Sequence, residues 1–159
     1  MGQSMNPNIF REYDIRGIAD VDLTNDVVYS IGRAFAYYLI DNNHKFLSIS
    51  GDVRNTTKRI KEFFISGVIS RGVDVFDMGV LPTPVNYFSL YDTSEQIVPN
   101  SVQVTGSHNP AEYNGLKISF NKKPFYGKFI QELKQIIETK INNNQDDSHI
   151  KVKGRVFKW

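Results

Sequence analysis

The 159-residue sequence predicts an α/β fold, a three-layer α/β/α sandwich around a mixed, mostly parallel four-stranded core sheet. Three observations predict it. Short β-branched runs alternate with longer segments whose apolar residues recur at helical spacing. Glycines punctuate the strand ends at Gly51, Gly79 and Gly106. Two runs, 101–105 and 116–120, are close enough to pair after a single loop.

The elements follow in order. Residues 10–18 read Phe-Arg-Glu-Tyr-Asp-Ile-Arg-Gly-Ile, a short extended segment ending at Gly17. From Thr24 the period changes, and Val27, Val28, Ile31, Ala34, Phe35, Tyr38 and Leu39 share one helical face. Thr24 is its N-cap, Asp26 complements the helix dipole, and Asn42 and Asn43 end it. Residues 45–50 form a strand stopped by Gly51-Asp52. Thr56 or Thr57 caps a second helix with Ile60, Phe63, Phe64, Gly67 and Val68 inward. A second strand covers 73–78. Pro82-Thr83-Pro84 sets an N-cap threonine before a proline at the first helical position, predicting a short helix over 85–91. Strands follow at 101–105 and 116–120. Phe129, Leu133, Ile136, Ile137 and Ile141 mark a last amphipathic helix. Residues 142–148 are a polar linker, and 150–159 alternate like a strand that has lost its neighbour.

Composition bounds the function. With 40% hydrophobic and 23% charged residues the chain is globular in character and large enough to bury a core. It has no cysteine, which excludes disulfides, thiolate metal sites and a cysteine nucleophile. A net charge of +2 gives no strong pull toward nucleic acid. The basic positions Lys151, Lys153, Arg155 and Lys158 read as the solvent side of a strand. The polar start of the chain resembles neither signal peptide nor anchor, and no run approaches the ~20 apolar residues of a membrane span. A cytoplasmic protein with neither nucleic-acid nor membrane partners is expected. There is no phosphate-binding P-loop, no His-x-x-x-His pair and no Gly-x-Ser-x-Gly elbow.

The most informative stretch is Val104-Thr105-Gly106-Ser107-His108-Asn109-Pro110, followed by Glu112-Tyr113-Asn114-Gly115-Leu116-Lys117. A β-branched run ends at a glycine that permits a tight or positive-φ turn. Pro110 biases Asn109 toward extended backbone. Such a loop aims successive N–H groups at one point, an anion-binding nest, with Ser107 at its tip. Gly-Ser-His-Asn-Pro alone is also ordinary turn chemistry. A free serine is a weak nucleophile, whereas a phosphorylated serine is a donor that needs cations and a proton carrier nearby. His108, Lys117 and Arg16 are the candidates.

The run from Thr105 to Lys117 resembles the phosphoserine loop of the α-D-phosphohexomutases. Phe10-Arg11-Glu12-Tyr13-Asp14-Ile15-Arg16-Gly17 resembles the N-terminal signature of their phosphomannomutase/phosphoglucomutase branch. Gly51-Asp52-Val53-Arg54 and Gly79-Val80-Leu81-Pro82-Thr83-Pro84 fall where that family carries similar turns. The resemblance implies that Ser107 is a phosphoserine that passes its phosphate to a hexose monophosphate and recovers another from the bisphosphate. Ser107, His108 and Lys117 would be catalytic. Tyr13, Arg16, Asn109 and Asn114 would line the substrate side, the two asparagines bracing the loop. A phosphate oxygen on Ser107 would ligate Mg²⁺, with hexose 1,6-bisphosphate as activator and intermediate. Mannose or glucose 1- and 6-phosphates are the implied substrates.

The family's aspartate-rich metal loop, its sugar-recognition motif and its distal phosphate site have no counterpart here. Asp20, Asp22 and Asp26 do not keep a calcium-loop pattern and read as a solvated loop and helix start; Asp146 and Asp147 sit in the linker. The expectation is therefore a first domain, residues 1–141, followed by a linker and the start of the next domain at 142–159. Its metal ligands and remaining domains would lie elsewhere, and the isolated chain would be inactive. The alternative is a free-standing single domain that binds a sugar phosphate or serves a regulatory role without mutase activity.

Overall fold

The computed structural model describes residues 5–92, 96–143 and 152–159. Asp146, Asp147, Ile150, Lys151 and most of the linker read at 142–148 lie outside the described residues.

A 3₁₀ turn (Pro7–Ile9) leads to β1 (Ile15–Ile18), α1 (Asn25–Asp41), β2 (Phe46–Gly51), α2 (Thr57–Ile69) and β3 (Asp74–Val80). Then come α3 (Thr83–Ser89), β4 (Ser101–Val104), β5 (Tyr113–Phe120), β6 (Lys123–Pro124), α4 (Lys128–Ile136) with a π-helical turn (Ile137–Ile141), and β7 (Val156–Lys158). The sheet has seven strands, ordered β1-β5-β4-β2-β3-β7, with β6 on β5. Parallel pairing joins β2 to β3 and β4, and β3 to β7. Antiparallel pairing joins β5 to β1, β4 and β6.

The mixed α/β class is as predicted, but the four-stranded count is corrected. The central β3-β2-β4-β5 ribbon has the expected pairing, and short strands extend both sides. Residues 10–14 are not a continuous strand. Phe10 bridges to Ile15, and Arg11 N–H donates to Asp14 O at 3.0 Å, so the chain folds back before β1. At the other edge the expected orphan strand has a neighbour: Val75, Phe76 and Asp77 pair with Val156, Phe157 and Lys158. Gly154 makes this approach possible, because a Cβ there would lie 2.0 Å from Val73 O.

The two faces of the sheet differ. Leu47, Ile49, Val75, Val102, Val104, Leu116 and Ile118 join α1, α2 and α4 in one apolar core. α1 meets its predicted pattern: Thr24 Oγ1 accepts from Val27 N–H at 3.5 Å, and Asn43 closes the helix at φ 63°, whereas Thr56 stands at the cap position of α2 without a side-chain cap bond. Strand alternation sends Ser48, Ser50 and Gln103 to the opposite face, under α3. There Asn86 Nδ2 donates to Ser50 Oγ at 2.8 Å and to Val102 O at 3.0 Å, and Ser89 Oγ lies 3.2 Å from Ser48 Oγ. α3 thus turns its polar side inward, while Val85, Tyr87, Phe88 and Tyr91 stay exposed. Its start also differs from expectation. Thr83 is the first helical residue, and Pro82 at the cap position makes no side-chain bond.

Candidate active site

The chain leaves β2 toward β3 through α2 on one face, and leaves β3 toward β4 through α3 on the other. The carboxyl ends of the adjacent strands β2 and β4 therefore flank a topological switch point, where ligands of open α/β sheets collect. The loop after β2 carries Asp52 and Arg54; the loop after β4 carries Ser107. They are joined directly, since Asp52 N–H donates to Val104 O at 2.9 Å.

Ser107 stands exposed at its loop tip with φ 55°. The left-handed residue is the serine itself, not Gly106. Glycine is needed at 106 for a different reason: a Cβ would sit 2.5 Å from Arg54 Cζ. The Ser107 N–H donates to Thr105 Oγ1 at 3.0 Å, and Thr105 Oγ1 donates to Asp52 Oδ2 at 2.8 Å. Among the described residues the Ser107 hydroxyl pairs with His108 Nδ1 at 3.4 Å.

Beneath the loop Asp52 is densely bonded. Burial pushes its carboxyl up, but hydrogen bonds from Thr57, the Arg54 and Gly106 backbones and Thr105 outweigh this and hold it below its ordinary range. Thr57 Oγ1 donates to Asp52 Oδ1 at 2.5 Å, and Arg54 Nε lies 3.3 Å from Oδ2.

The second wall comes from β1. Arg16 is buried and donates to Asn109 Oδ1 at 2.5 Å, to Gly106 O at 3.2 Å and to Asp14. Lys117 Nζ lies 3.7 Å from the same Asp14 carboxylate. Tyr87, from α3, is pushed up by burial and then by the charge of Asp14.

The structure therefore brings Ser107, His108, Asn109 and Arg16 together and ties Lys117 to them through Asp14. Arg16 and Asn109 grip each other across the loop. Asn114 is fully buried, with its amide donating to Thr56 Oγ1 at 2.9 Å and Thr57 Oγ1 at 3.0 Å. Tyr13 is 74% exposed and stacks on Tyr126, ring centroids 6.3 Å apart. Sequence reasoning gave no role to Asp14, Asp52, Arg54 or Thr105. The available signal was Gly51-Asp52-Val53-Arg54, a charged pair directly after a strand.

The implied magnesium can be tested against these residues. Among the described residues no group of three or more His, Asp or Glu side chains could hold a metal ion. Asp52 and Asp14, which border the site, are both engaged by internal donors. The described residues do not by themselves form a magnesium site. Asp22 is no ligand either: it accepts from Ile18 N–H and Asn6 Nδ2, each at 2.8 Å, and so braces a turn.

Fold and site together define an α/β domain that presents a serine from a strained loop at the sheet's switch point, beside the buried Arg16 and the half-buried Lys117. The chain belongs to the phosphoglucomutase/phosphomannomutase family, whose alpha/beta/alpha domain I matches residues 7–148. It is 35% identical to a phosphoglucomutase of Neisseria gonorrhoeae, over 85% of this chain and 29% of that protein. It is 39% identical to a phosphoglucosamine mutase of Alkaliphilus oremlandii, over 87% of this chain and 30% of that protein. It is 36% identical to a phosphomannomutase of Vibrio cholerae, over 74% and 26%. The chain thus spans less than a third of the curated relatives it matches. The crystal structure of a phosphoglucomutase/phosphomannomutase family protein from Burkholderia thailandensis superposes with a TM-score of 0.86 at 32% identity, covering 98% of this chain and 34% of that one. Among the described residues no helix is long and apolar enough to cross a membrane.

Proposed function

We propose that this chain is the phosphoserine-bearing part of a hexose-phosphate mutase, with Ser107 as the phosphoryl carrier. The observation that carries the reading is the placement of Ser107: its backbone is held on both sides while its hydroxyl is exposed at the switch point beside His108. In one half-reaction the Ser107 Oγ–P bond breaks as a P–O bond forms to a sugar hydroxyl. That hydroxyl gives up its proton, and Oγ takes one. The other half-reaction reverses this with the second phosphate of the bisphosphate and leaves an isomerised monophosphate. His108 is the group within reach of Oγ for the proton. Lys117 and Arg16 set positive charge beside the loop, where a dianionic phosphoserine would need it. A magnesium ion would supply charge neutralisation at that phosphate, with its protein ligands drawn from outside these residues.

The substrates proposed are mannose and glucose 1- and 6-phosphates. Relatives named for three different sugars share 35–39% identity with this chain, which supports a sugar choice made by residues beyond this domain. The protein is proposed to act in the cytoplasm alongside the remaining domains of a mutase.

The test is covalent. The chain, together with the remaining domains of the mutase, is incubated with Mg²⁺ and glucose 1,6-bisphosphate, and its peptides are read by mass spectrometry. One added phosphate at Ser107, lost in Ser107→Ala with the fold intact, is expected. Phosphate at another residue, or none at Ser107, overturns the assignment. Robust interconversion of mannose 1- and 6-phosphates by the 159-residue chain alone would sink the view that it is only part of the catalyst.

A further inference from the structure

We propose that Arg54 is a positioning residue for Ser107, fixing the serine's backbone so that its hydroxyl is presented at the loop tip beside His108. The inference rests on the reading of Ser107 as the carrier. An arginine has five N–H donors in a rigid fork, and here the four of Nη1 and Nη2 are spent on backbone carbonyls while Nε faces a carboxylate. Nη1 donates to Pro110 O at 2.6 Å and Tyr113 O at 2.9 Å. Nη2 donates to Asn109 O at 2.6 Å and Ser107 O at 3.0 Å. Nε faces Asp52 at 3.3 Å. Both Nη groups, the end of the fork that would grip a phosphate, are committed to the loop's backbone, which sets Arg54 apart from a phosphate ligand despite its place in the site.

Its partners show what it does instead. Three of the five acceptors are carbonyls of the loop that carries Ser107, and a fourth, Tyr113 O, opens the strand that follows it. The Ser107 carbonyl is held by Arg54 directly, and its N–H is held through Thr105 by Asp52, the residue that also faces Arg54. The two groups that could relax the backbone are thus both tied to one ion pair. That matters because Ser107 lies at φ 55°, a region a side chain with a Cβ disfavours. Gly106 completes the device, since only the lack of a Cβ lets the guanidinium lie against it. A lysine would keep the charge but could not reach four carbonyls at once.

The experiment compares this chain, joined to the remaining domains of the mutase, with its Arg54→Lys variant and, as a second route into the same clamp, Thr105→Val. Amide exchange of Ser107 and Asn109 is read by NMR. The rate of Ser107 phosphorylation is measured against glucose 1,6-bisphosphate concentration with Mg²⁺. In both variants exchange at these amides should accelerate about tenfold or more, with the sheet amides unchanged. The maximal rate of phosphoserine formation should fall about 100-fold while the half-saturating concentration holds within about twofold. A half-saturating concentration that rises at constant maximal rate would make Arg54 a phosphate ligand and overturn the proposal. Unchanged loop exchange in Arg54→Lys overturns it as well. If the unaltered chain accepts no phosphate at Ser107, the carrier reading fails, and the exchange data alone still decide whether Arg54 holds the loop.

Discussion

The Lys117 ammonium lies 3.7 Å from the Asp14 carboxylate, across the antiparallel pair of β1 and β5. The register Ile15↔Leu116 sets these two residues side by side at the edge of the site. Asp14 also holds Arg16, so one carboxylate orders both cations. Its charge reaches Tyr87, whose phenol is pushed above its ordinary 10.0 first by burial and then by Asp14. Asp14→Asn removes only the second cause. The Tyr87 midpoint should therefore come down yet stay above the ordinary value, as read from its ring carbon in an NMR titration. A midpoint that does not move would count against the coupling.

Gly32 and Gly67 let α1 and α2 touch backbone to backbone. A Cβ on Gly67 would lie 2.2 Å from Tyr29 O, and one on Gly32 2.3 Å from Phe64 O. Neither obstacle is a flexible side-chain end. Gly67→Ala should destabilise the fold by about 1–3 kcal/mol through overpacking, seen as a lower urea midpoint with an unchanged slope. A variant as stable as the parent would contradict this crossing.

His44 predicts a pH response near neutrality. Burial lowers its pKa from the ordinary 6.5, and its Nδ1 lies 3.1 Å from Asn100 Nδ2, a pairing that suits the neutral ring. The folded state therefore binds fewer protons than the unfolded chain. Stability from this group is complete above pH 6.5 and is lost as pH falls through the lower folded value. Melting temperatures at pH 7.5 and 5.5 should differ more for the parent than for His44→Gln. Equal differences would remove His44 as the cause.

Asp52 acts in a more acidic window. Its carboxyl is held below 3.8, so its contribution is present above that value and fades as pH drops through the folded pKa. Asp52→Asn faces the Thr57 and Thr105 hydroxyls and the Arg54 amide with one acceptor oxygen instead of two. A loss of about 1–3 kcal/mol at pH 7 is expected, together with a shallower acid limb in the unfolding profile. An unchanged acid limb would show that other carboxylates set it.

Much of the local structure was legible. Thr24 as a cap, Ile60, Phe64 and Val68 as a buried stripe, and Val102 and Val104 as a core strand all follow from spacing, because one-sided burial imposes its period on the sequence. Ser107 was legible as a loop tip for the same local reason. The readings that changed involve partners far apart in the chain. The strand at Val156–Lys158 carries no mark of the β3 edge it joins. α3 misleads by composition, since Asn86 and Ser89 are inward only because Ser48, Ser50 and Val102 O wait there with hydrogen bonds.

The sequence by itself determined the alternation of strands and helices, the glycine-bounded turns and the serine at the end of the third core strand. These depend on neighbours within a few residues, where backbone sterics and periodic burial act. The tertiary structure alone decided that the serine, not the glycine before it, takes the left-handed backbone. It also decided that Arg54 spends its fork on the loop's carbonyls and that Asp14 collects both Arg16 and Lys117. Those choices depend on which unpaired donors and acceptors meet when β1, β2, β4 and β5 come together, a matter of three-dimensional pairing that linear spacing does not encode.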